Sequence, residues 1–193
     1  MPEDAPAPGT RERIVDAATE LFAERGYLGT SMREIAEELG VSKPALYHHF
    51  ADKQALLLAV LLAAIEEAGA IVERAASRRG GVRDKVRTLL EGIIRDRRRQ
   101  RSAMRLAERE AVHLADETRA RMLAMYRQEF LLPVETLLKS GQDAGELTAS
   151  ADTAWLAHAL LALAQPLLSV DDSNAEQQVN ATLDLFFEGA GGV

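Results

Sequence analysis

Cysteine is absent from the 193-residue chain. Its absence excludes disulfide bonds, thiolate nucleophiles and cysteine-ligated zinc or iron–sulfur centres. The chain also lacks the GxSxG and HExxH patterns and the glycine-rich phosphate loops that mark common enzyme sites. We therefore expect neither an enzyme nor a bound cofactor. A carboxylate–histidine metal site on Glu108, Glu110 and His113 stays open as the enzymatic alternative.

Excess positive charge is absent as well, because the formal net charge is −7 at pH 7. A general attraction to nucleic acid or to anionic membranes is not expected, so any nucleic-acid contact has to be local. Residues 1–9 lack the basic region and apolar run of a secretory signal, and we expect a disordered arm. The longest uncharged stretch, 153–170, is interrupted by His158 and Pro166, which favours a buried helix over a membrane span. These absences fit a cytoplasmic protein.

Strand patterns are missing too: no segment alternates with period two, and the helix formers Ala, Leu, Glu and Arg dominate. We predict an all-α fold of about nine helices, with a loop at 141–145. The predicted helices span 10–25, Ser31 to Gly40, Ser42 to about 50, Asp52 to about 79, 82–101, 103–113, 117–140 with a bend or interruption at Pro133, 152–168 and 175–188.

The second and third helices have the lengths of a helix-turn-helix and are joined by a short turn around Gly40. At about 100° per residue, Leu46 and Phe50 share one side of the third helix, whereas Pro44 and His48 lie on the other. A side that is small at its start and hydrogen-bonding further on suits a DNA groove. The spacing alone leaves open an ordinary helical hairpin with two solvent-facing histidines.

Three runs in the segment 10–61 carry a family resemblance: AAxxLFxxxGY from Ala17, TSMREIA from Thr30 and GVSKPALYHHFxDK from Gly40. Together they closely resemble the DNA-binding domain of the tetracycline-repressor (TetR) family. The resemblance implies a homodimeric transcription regulator, most often a repressor, that binds a palindromic operator and releases it when a small molecule binds. It implies a helix-turn-helix domain at 10–52 and a helical ligand-binding and dimerisation domain at 53–193.

The same resemblance implies a role for each matching residue. Ser31 would donate to phosphate from its hydroxyl and backbone, and Arg33 would reach a phosphate or a guanine. Bases would be faced by Lys43, Pro44, Ala45 and His48, and phosphates held by Tyr47, His49 and Lys53. Ala45, where many relatives carry a hydroxyl or amide, offers only a methyl group.

The DNA-binding segment is not net basic. Residues 10–53 contain six Lys and Arg against eight Asp and Glu, which departs from the basic footprint of a DNA-binding domain. We expect most of these acidic side chains, which lie in the first two helices, to face away from DNA. Their effect would be to limit non-specific affinity.

The last two long helices carry more apolar side chains than one packing partner needs. In the resembled family such helices pair with their copies as a four-helix bundle, so we predict a dimer interface here; the alternative is an intramolecular core. The residues are Trp155, Ala159, Leu160, Leu163, Leu167, Val179, Leu183, Phe186 and Phe187.

Apolar and soft side chains on the middle helices predict a pocket for an unidentified small-molecule effector. The alternative for each is ordinary core. The candidates are Leu90, Ile93, Ile94, Met104, Met122, Met125, Tyr126 and Phe130, with His113 and His158 as polar contacts.

The basic run 95–101 fits a solvated helix face, a rim for an anionic ligand, or a patch near DNA. Two further hypotheses for the function of the whole chain stay open at this point. One is a helical adaptor that binds only proteins, and the other is an activator of the same family.

Overall fold

A computed structural model describes residues 9–95, 106–107, 109–169 and 171–190. The fold is all-α, as predicted, and no strand occurs within these ranges. The helices are α1 (Thr10–Arg25), α2 (Met32–Leu39), α3 (Lys43–His49), α4 (Lys53–Ala76), α5 (Val82–Arg95), α6 (Asp116–Tyr126), α7 (Leu132–Asp143), α8 (Thr153–Ala164) and α9 (Ala175–Ala190). The basic residues 96–101 and the start of the predicted helix 103–113 lie outside the described residues.

The helix-turn-helix is built from local capping interactions. The Ser31 hydroxyl accepts the Glu34 N–H at 3.2 Å, and the Glu34 carboxylate accepts the Ser31 N–H at 2.7 Å, which closes a capping box at the start of α2. Gly40 ends α2 with φ +65°, a left-handed conformation that glycine adopts without strain. Ser42 then accepts the Ala45 N–H at 3.3 Å. The three residues 40–42 therefore suffice to redirect the chain into α3.

Contacts along the chain define two compact units. The first contains the described residues up to Ala63 together with those described between 102 and Met122. The second contains residues 64–95 and the described residues from Leu123 to the end of the chain. Helix α4 begins in the first unit and ends in the second, so its residues contribute to both cores. In the second unit the core is formed by side chains of α4, α5, α7, α8 and α9.

Helix α4 is the described helix whose length and hydropathy would allow it to cross a membrane. Core helices of soluble proteins pass the same test, and here 44% of the apolar window is buried within the protein. Leu56 and Leu57 are fully buried in the first unit, and Val72 is fully buried in the second. The apolar sequence of α4 is thus accounted for at both ends by packing within the chain.

The predicted helix 117–140 is interrupted before Pro133 by a π-helical turn. The turn spans Arg127–Leu131 and separates α6 from α7. Since proline has no N–H, the Glu129 carbonyl four residues earlier loses its ordinary helical donor. A Cβ built on Gly69 of α4 would lie 2.5 Å from that carbonyl oxygen. The backbones of α4 and the π turn therefore approach as closely as a glycine permits.

Replacing Gly69 by alanine is expected to destabilise the protein by about 1–3 kcal/mol, because the added methyl group would overlap a backbone atom that cannot rotate away. The matched control is Gly189→Ala in α9, where a Cβ meets nothing within 4 Å. Urea unfolding of both variants at one protein concentration measures the difference. A Gly69→Ala protein as stable as the control would show that α4 can withdraw from the π turn at no cost.

The predicted loop at 141–145 is shorter in the structure. Helix α7 continues through Gly141 to Asp143, and the turn comes at Gly145, whose φ is +75°. A Cβ on Gly141 would lie 2.7–2.8 Å from the side chain of Val82. Gly141 is therefore a point of close approach to α5 and does not stop the helix.

Candidate nucleic-acid interface

Helix α3 has one buried and one exposed side, as the helical spacing predicts. Leu46 is fully buried, and Phe50 at the C-cap is 3% exposed. The exposed side carries Lys43, Pro44, Ala45, Tyr47 and His48, with His49 half-buried at its margin. The apolar pair anchors the helix so that these side chains are displayed without disturbing the core.

The exposed side of α3 contains no acidic residue between 43 and 49. The Lys43 ammonium lies 5.8 Å from the centroid of the Tyr47 ring. The His48 and His49 rings are 5.5 Å apart and nearly perpendicular. Small side chains at the start of the helix allow close approach of its backbone, and the imidazoles and phenol supply hydrogen-bonding groups. This combination can engage a DNA groove.

Two carboxylates lie beside the predicted DNA contacts at the start of α2, where the sequence predicts acidic side chains that face away. Arg33 forms an ion pair with Glu37 at 2.8 Å, and Arg25 lies 3.7 Å from Glu34. Hydrogen bonding from Ser31 holds the pKa of the Glu34 carboxyl below its usual range, so this group stays ionised. Glu34 and Glu37 are thus exceptions to the expectation that the acidic residues face away from the proposed contacts. Since exposed ion pairs contribute only about 0–1 kcal/mol, a phosphate can displace Glu37 from Arg33.

Lys53 has protein partners that sequence reasoning missed. Its ammonium donates to the carbonyls of Tyr27 and Thr30, both at 2.8 Å, and lies 4.3 Å from the centroid of the Tyr27 ring. No spacing signal identifies these acceptors, because carbonyl groups occur at every residue. The first turn of α4 is thereby tied to the turn between α1 and α2.

Replacing Lys53 by alanine is expected to weaken binding to all duplexes and to lower the salt slope of binding by about one for each bound protomer. Operator binding should weaken further, because the turn between α1 and α2 loses the two hydrogen bonds from this ammonium. An ammonium has three N–H donors, and two of them are used on carbonyls, which leaves one for a phosphate. Fluorescence anisotropy over a salt series measures the slope, with the exposed Lys139→Ala as control. An unchanged slope would confine Lys53 to holding the turn.

The metal-site alternative has only part of its ligands within the described residues. Glu108 lies outside them. The Glu110 carboxylate accepts the Tyr27 N–H at 3.2 Å and lies 3.5 Å from the His113 imidazole. Among the described residues, no group of three or more His, Asp and Glu is arranged to hold a metal ion.

The predicted pocket residues are divided between the two units. His113 and Met122 belong to the first unit, and Met104 lies outside the described residues. In the second unit Leu90 and Ile94 are core residues, Ile93 and Phe130 pack against that core, Met125 is half-buried and Tyr126 is 36% exposed. His158 is exposed and bonds to the Ala154 carbonyl of its own helix. The pocket stays a prediction.

The predicted dimer residues fall into two groups. The structure assigns Leu160, Leu167, Val179, Leu183 and Phe186 to the core of the protomer, each at most 3% exposed, so they are buried before any second copy binds. The other four, Trp155, Ala159, Leu163 and Phe187, retain accessible surface. Trp155 is 66% exposed, and Leu185, which is not among the predicted interface residues, is 60% exposed. An uncovered apolar surface therefore remains on α8 and α9.

A buried anchor, a glycine turn and an exposed helix free of acidic residues define a helix-turn-helix DNA-binding protein. Residues 14–60 match the family model described as "Bacterial regulatory proteins, tetR family". The chain belongs to the TetR family of transcriptional regulators. Members of this family are regulators of transcription, so the expectation that the protein is not an enzyme is confirmed.

Relatives include both activators and repressors. The transcriptional activator FasR of Mycolicibacterium smegmatis is 39% identical over 83 residues, which are 43% of this chain and 38% of FasR. The transcriptional repressor AcnR of Corynebacterium efficiens is 37% identical over 82 residues, 42% of this chain and 41% of AcnR. The matches thus span less than half of these relatives. The solved structure of Salmonella enterica GusR is 31% identical, covers 93% of this chain and 94% of its own, and has a TM-score of 0.74.

Proposed function

We propose that this regulator is a cytoplasmic repressor that binds a palindromic operator as a homodimer and releases it when a small molecule binds. The observation that carries the proposal is the exposed side of α3, anchored by Leu46 and free of acidic residues. The AcnR relative is named as a repressor. Activation is the second candidate, because FasR is named as an activator.

The DNA contacts follow from the chemistry of the exposed groups. Lys43 and His48 carry donors that suit guanine and other base edges, and Ala45 offers a methyl contact to thymine. Phosphates would be held by Tyr47, His49, Lys53, Ser31 and Arg33. Arg33 reaches its phosphate by exchanging the Glu37 carboxylate for a group of the same charge. The bound state then leaves Glu37 near DNA, which lowers affinity for duplexes that offer no compensating base contact.

A homodimer would place two copies of α3 in successive major grooves, about 34–36 Å apart. The uncovered apolar surface around Trp155 and Leu185 supports an interface formed by α8 and α9. Each protomer would comprise an N-terminal arm at 1–9, the helix-turn-helix domain at 10–52 and a ligand-binding and dimerisation domain at 53–193.

Release by a ligand requires a difference in affinity between two arrangements of the dimer. The ligand must bind the DNA-incompetent arrangement better, typically by about 1–3 kcal/mol. Side chains proposed to line the site include Met125, Tyr126 and Phe130, which are only partly buried and leave surface for a ligand. Helix α4 belongs to both units and is the natural element to carry the change.

The test is fluorescence anisotropy of the purified protein against duplexes that tile the DNA beside its own gene, over a salt series. Saturable binding to one palindrome supports the proposal. A reporter gene behind that palindrome then separates the two candidates, because a repressor lowers transcription and an activator raises it. Binding to every tile at one salt-dependent level would argue against a local operator, and binding to none would favour a protein-binding adaptor.

A further inference from the structure

The turn between α1 and α2 is held by a residue from a distant part of the chain. The backbone N–H of Tyr27 donates to the Glu110 carboxylate at 3.2 Å, across 83 residues of sequence. Glu110 is 8% exposed, and among the described residues it is the one charged residue that is buried. Burying a carboxylate is unfavourable unless it is hydrogen-bonded or paired. The hydrogen bond from Tyr27 therefore offsets part of the free energy that the burial of Glu110 costs.

His113 completes the contact on the same side of the turn. Its ring stacks on Tyr27 with centroids 5.7 Å apart, and its Nε2 lies 3.5 Å from Glu110 Oε2. The His113 carbonyl accepts the side-chain amide of Gln54 at 3.1 Å. The segment around Glu110 is therefore fixed both to the turn and to the first residues of α4.

Lys53 holds the opposite polar groups of the same turn. The Glu110 carboxylate accepts a hydrogen bond from the Tyr27 N–H, and the Lys53 ammonium donates to the carbonyls of Tyr27 and Thr30. Burial raises the pKa of the Tyr27 phenol, and the carboxylates of Asp52 and Glu110 raise it further, so the phenol stays neutral between the charges. Two oppositely charged side chains thus clamp one peptide segment from its donor and acceptor sides.

The clamped segment directly precedes the proposed DNA contacts. Thr30 is followed by Ser31, which caps α2, and the short turn at Gly40 passes the placement of α2 on to α3. A shift of the turn would therefore shift both helices that face DNA. Hydrogen bonds to charged groups are among the stronger ones in proteins.

We infer that Glu110 is a positioning residue for operator binding, acting through the Tyr27 N–H although it lies outside the helix-turn-helix sequence. Glu110 would act without touching DNA itself. The inference rests on the proposed operator binding, and it predicts that a carboxylate far from the recognition helix controls affinity for the specific site. The direction of the change in affinity is diagnostic. Removing a negative charge by itself strengthens binding to DNA, whereas loss of the positioning contact weakens it.

The experiment compares Glu110→Gln with Glu117→Gln, which removes the same charge from an exposed residue of α6. Anisotropy is measured on the palindrome bound by the wild type and on a scrambled duplex, well below the melting temperature. We expect Glu110→Gln to weaken operator binding about tenfold, because an uncharged amide oxygen is a weaker acceptor for the Tyr27 N–H than a carboxylate. Binding to the scrambled duplex and the salt slope should be unchanged. Glu117→Gln should bind the operator as well as the wild type or slightly better.

Two further readouts keep the test decisive. Glu110→Asp retains the charge but withdraws the acceptor from the Tyr27 N–H, so it should also weaken operator binding. It replaces Glu110→Gln in the test if that variant is poorly folded. Hydrogen exchange of the Tyr27 amide should be faster in both variants, and this readout needs no operator. Operator affinity equal to that of Glu117→Gln in both variants, with only a lowered melting temperature, would overturn the inference. A wild type that binds no duplex would refute the proposed function and leave the exchange result to test the clamp.

Discussion

Replacing Lys43 and His48 together by alanine is expected to abolish specific binding to the operator while the fold and the dimer stay intact. Both side chains are exposed on α3, and the anchor of that helix, Leu46, is unchanged. A good contact to a base contributes about 1–3 kcal/mol of discrimination. A dimer loses four such contacts, so the operator affinity should fall by about a thousandfold or more.

Anisotropy on the operator and on a scrambled duplex measures this loss, with Lys139→Ala as a control for the removal of an exposed positive charge outside α3. Non-specific binding should persist in the double variant, because the phosphate contacts remain. An operator affinity within threefold of the wild type would move the recognition surface away from α3.

Replacing Trp155 and Leu185 together by arginine is expected to produce monomers and to weaken operator binding by about a hundredfold or more. Both side chains are exposed in the protomer, so the substitutions leave its own core filled. At an interface they would bury unpaired charges, which is strongly unfavourable. Loss of the dimer uncouples the two half-sites, and linkage of two binding modules typically raises avidity by about 10²–10⁴.

Sedimentation at micromolar concentration measures the oligomeric state, and Leu123→Arg on α6 controls for adding arginine at another exposed leucine. A double variant that still sediments as a dimer would place the interface elsewhere, and a monomeric wild type would refute the proposed dimer. Substitutions at Leu160 or Leu183 are unsuitable here, because these fully buried residues belong to the protomer core and their loss would unfold it.

The helix-turn-helix can be predicted from sequence because its signals are local. The capping box joins Ser31 and Glu34, which are three positions apart, and the end of α2 at Gly40 depends on the backbone conformation of one residue. The burial of Leu46 opposite exposed His48 follows from helical periodicity alone. The same locality explains why α1 begins and ends at the predicted residues.

Prediction from sequence is weaker for apolar residues that can pack either in the protomer core or at an interface with a second copy. The periodicity of α8 and α9 identifies apolar faces, but it does not separate the side packed on the protomer from the side left open. Leu160 and Trp155 look alike by that criterion, yet one is fully buried and the other is 66% exposed. Only the arrangement of the neighbouring helices decides between them.

The family, the boundaries of α1 to α3 and the exposed residues of α3 are thus set by short-range patterns that can be read along the chain. The tertiary structure alone decides which charges meet: Lys53 on the carbonyls of Tyr27 and Thr30, and Glu110 on the Tyr27 N–H. Gly141 shows the same limit, since its role comes from the approach of Val82 on another helix. The physical reason is that packing joins residues tens of positions apart, and no local spacing records which partner the fold brings near.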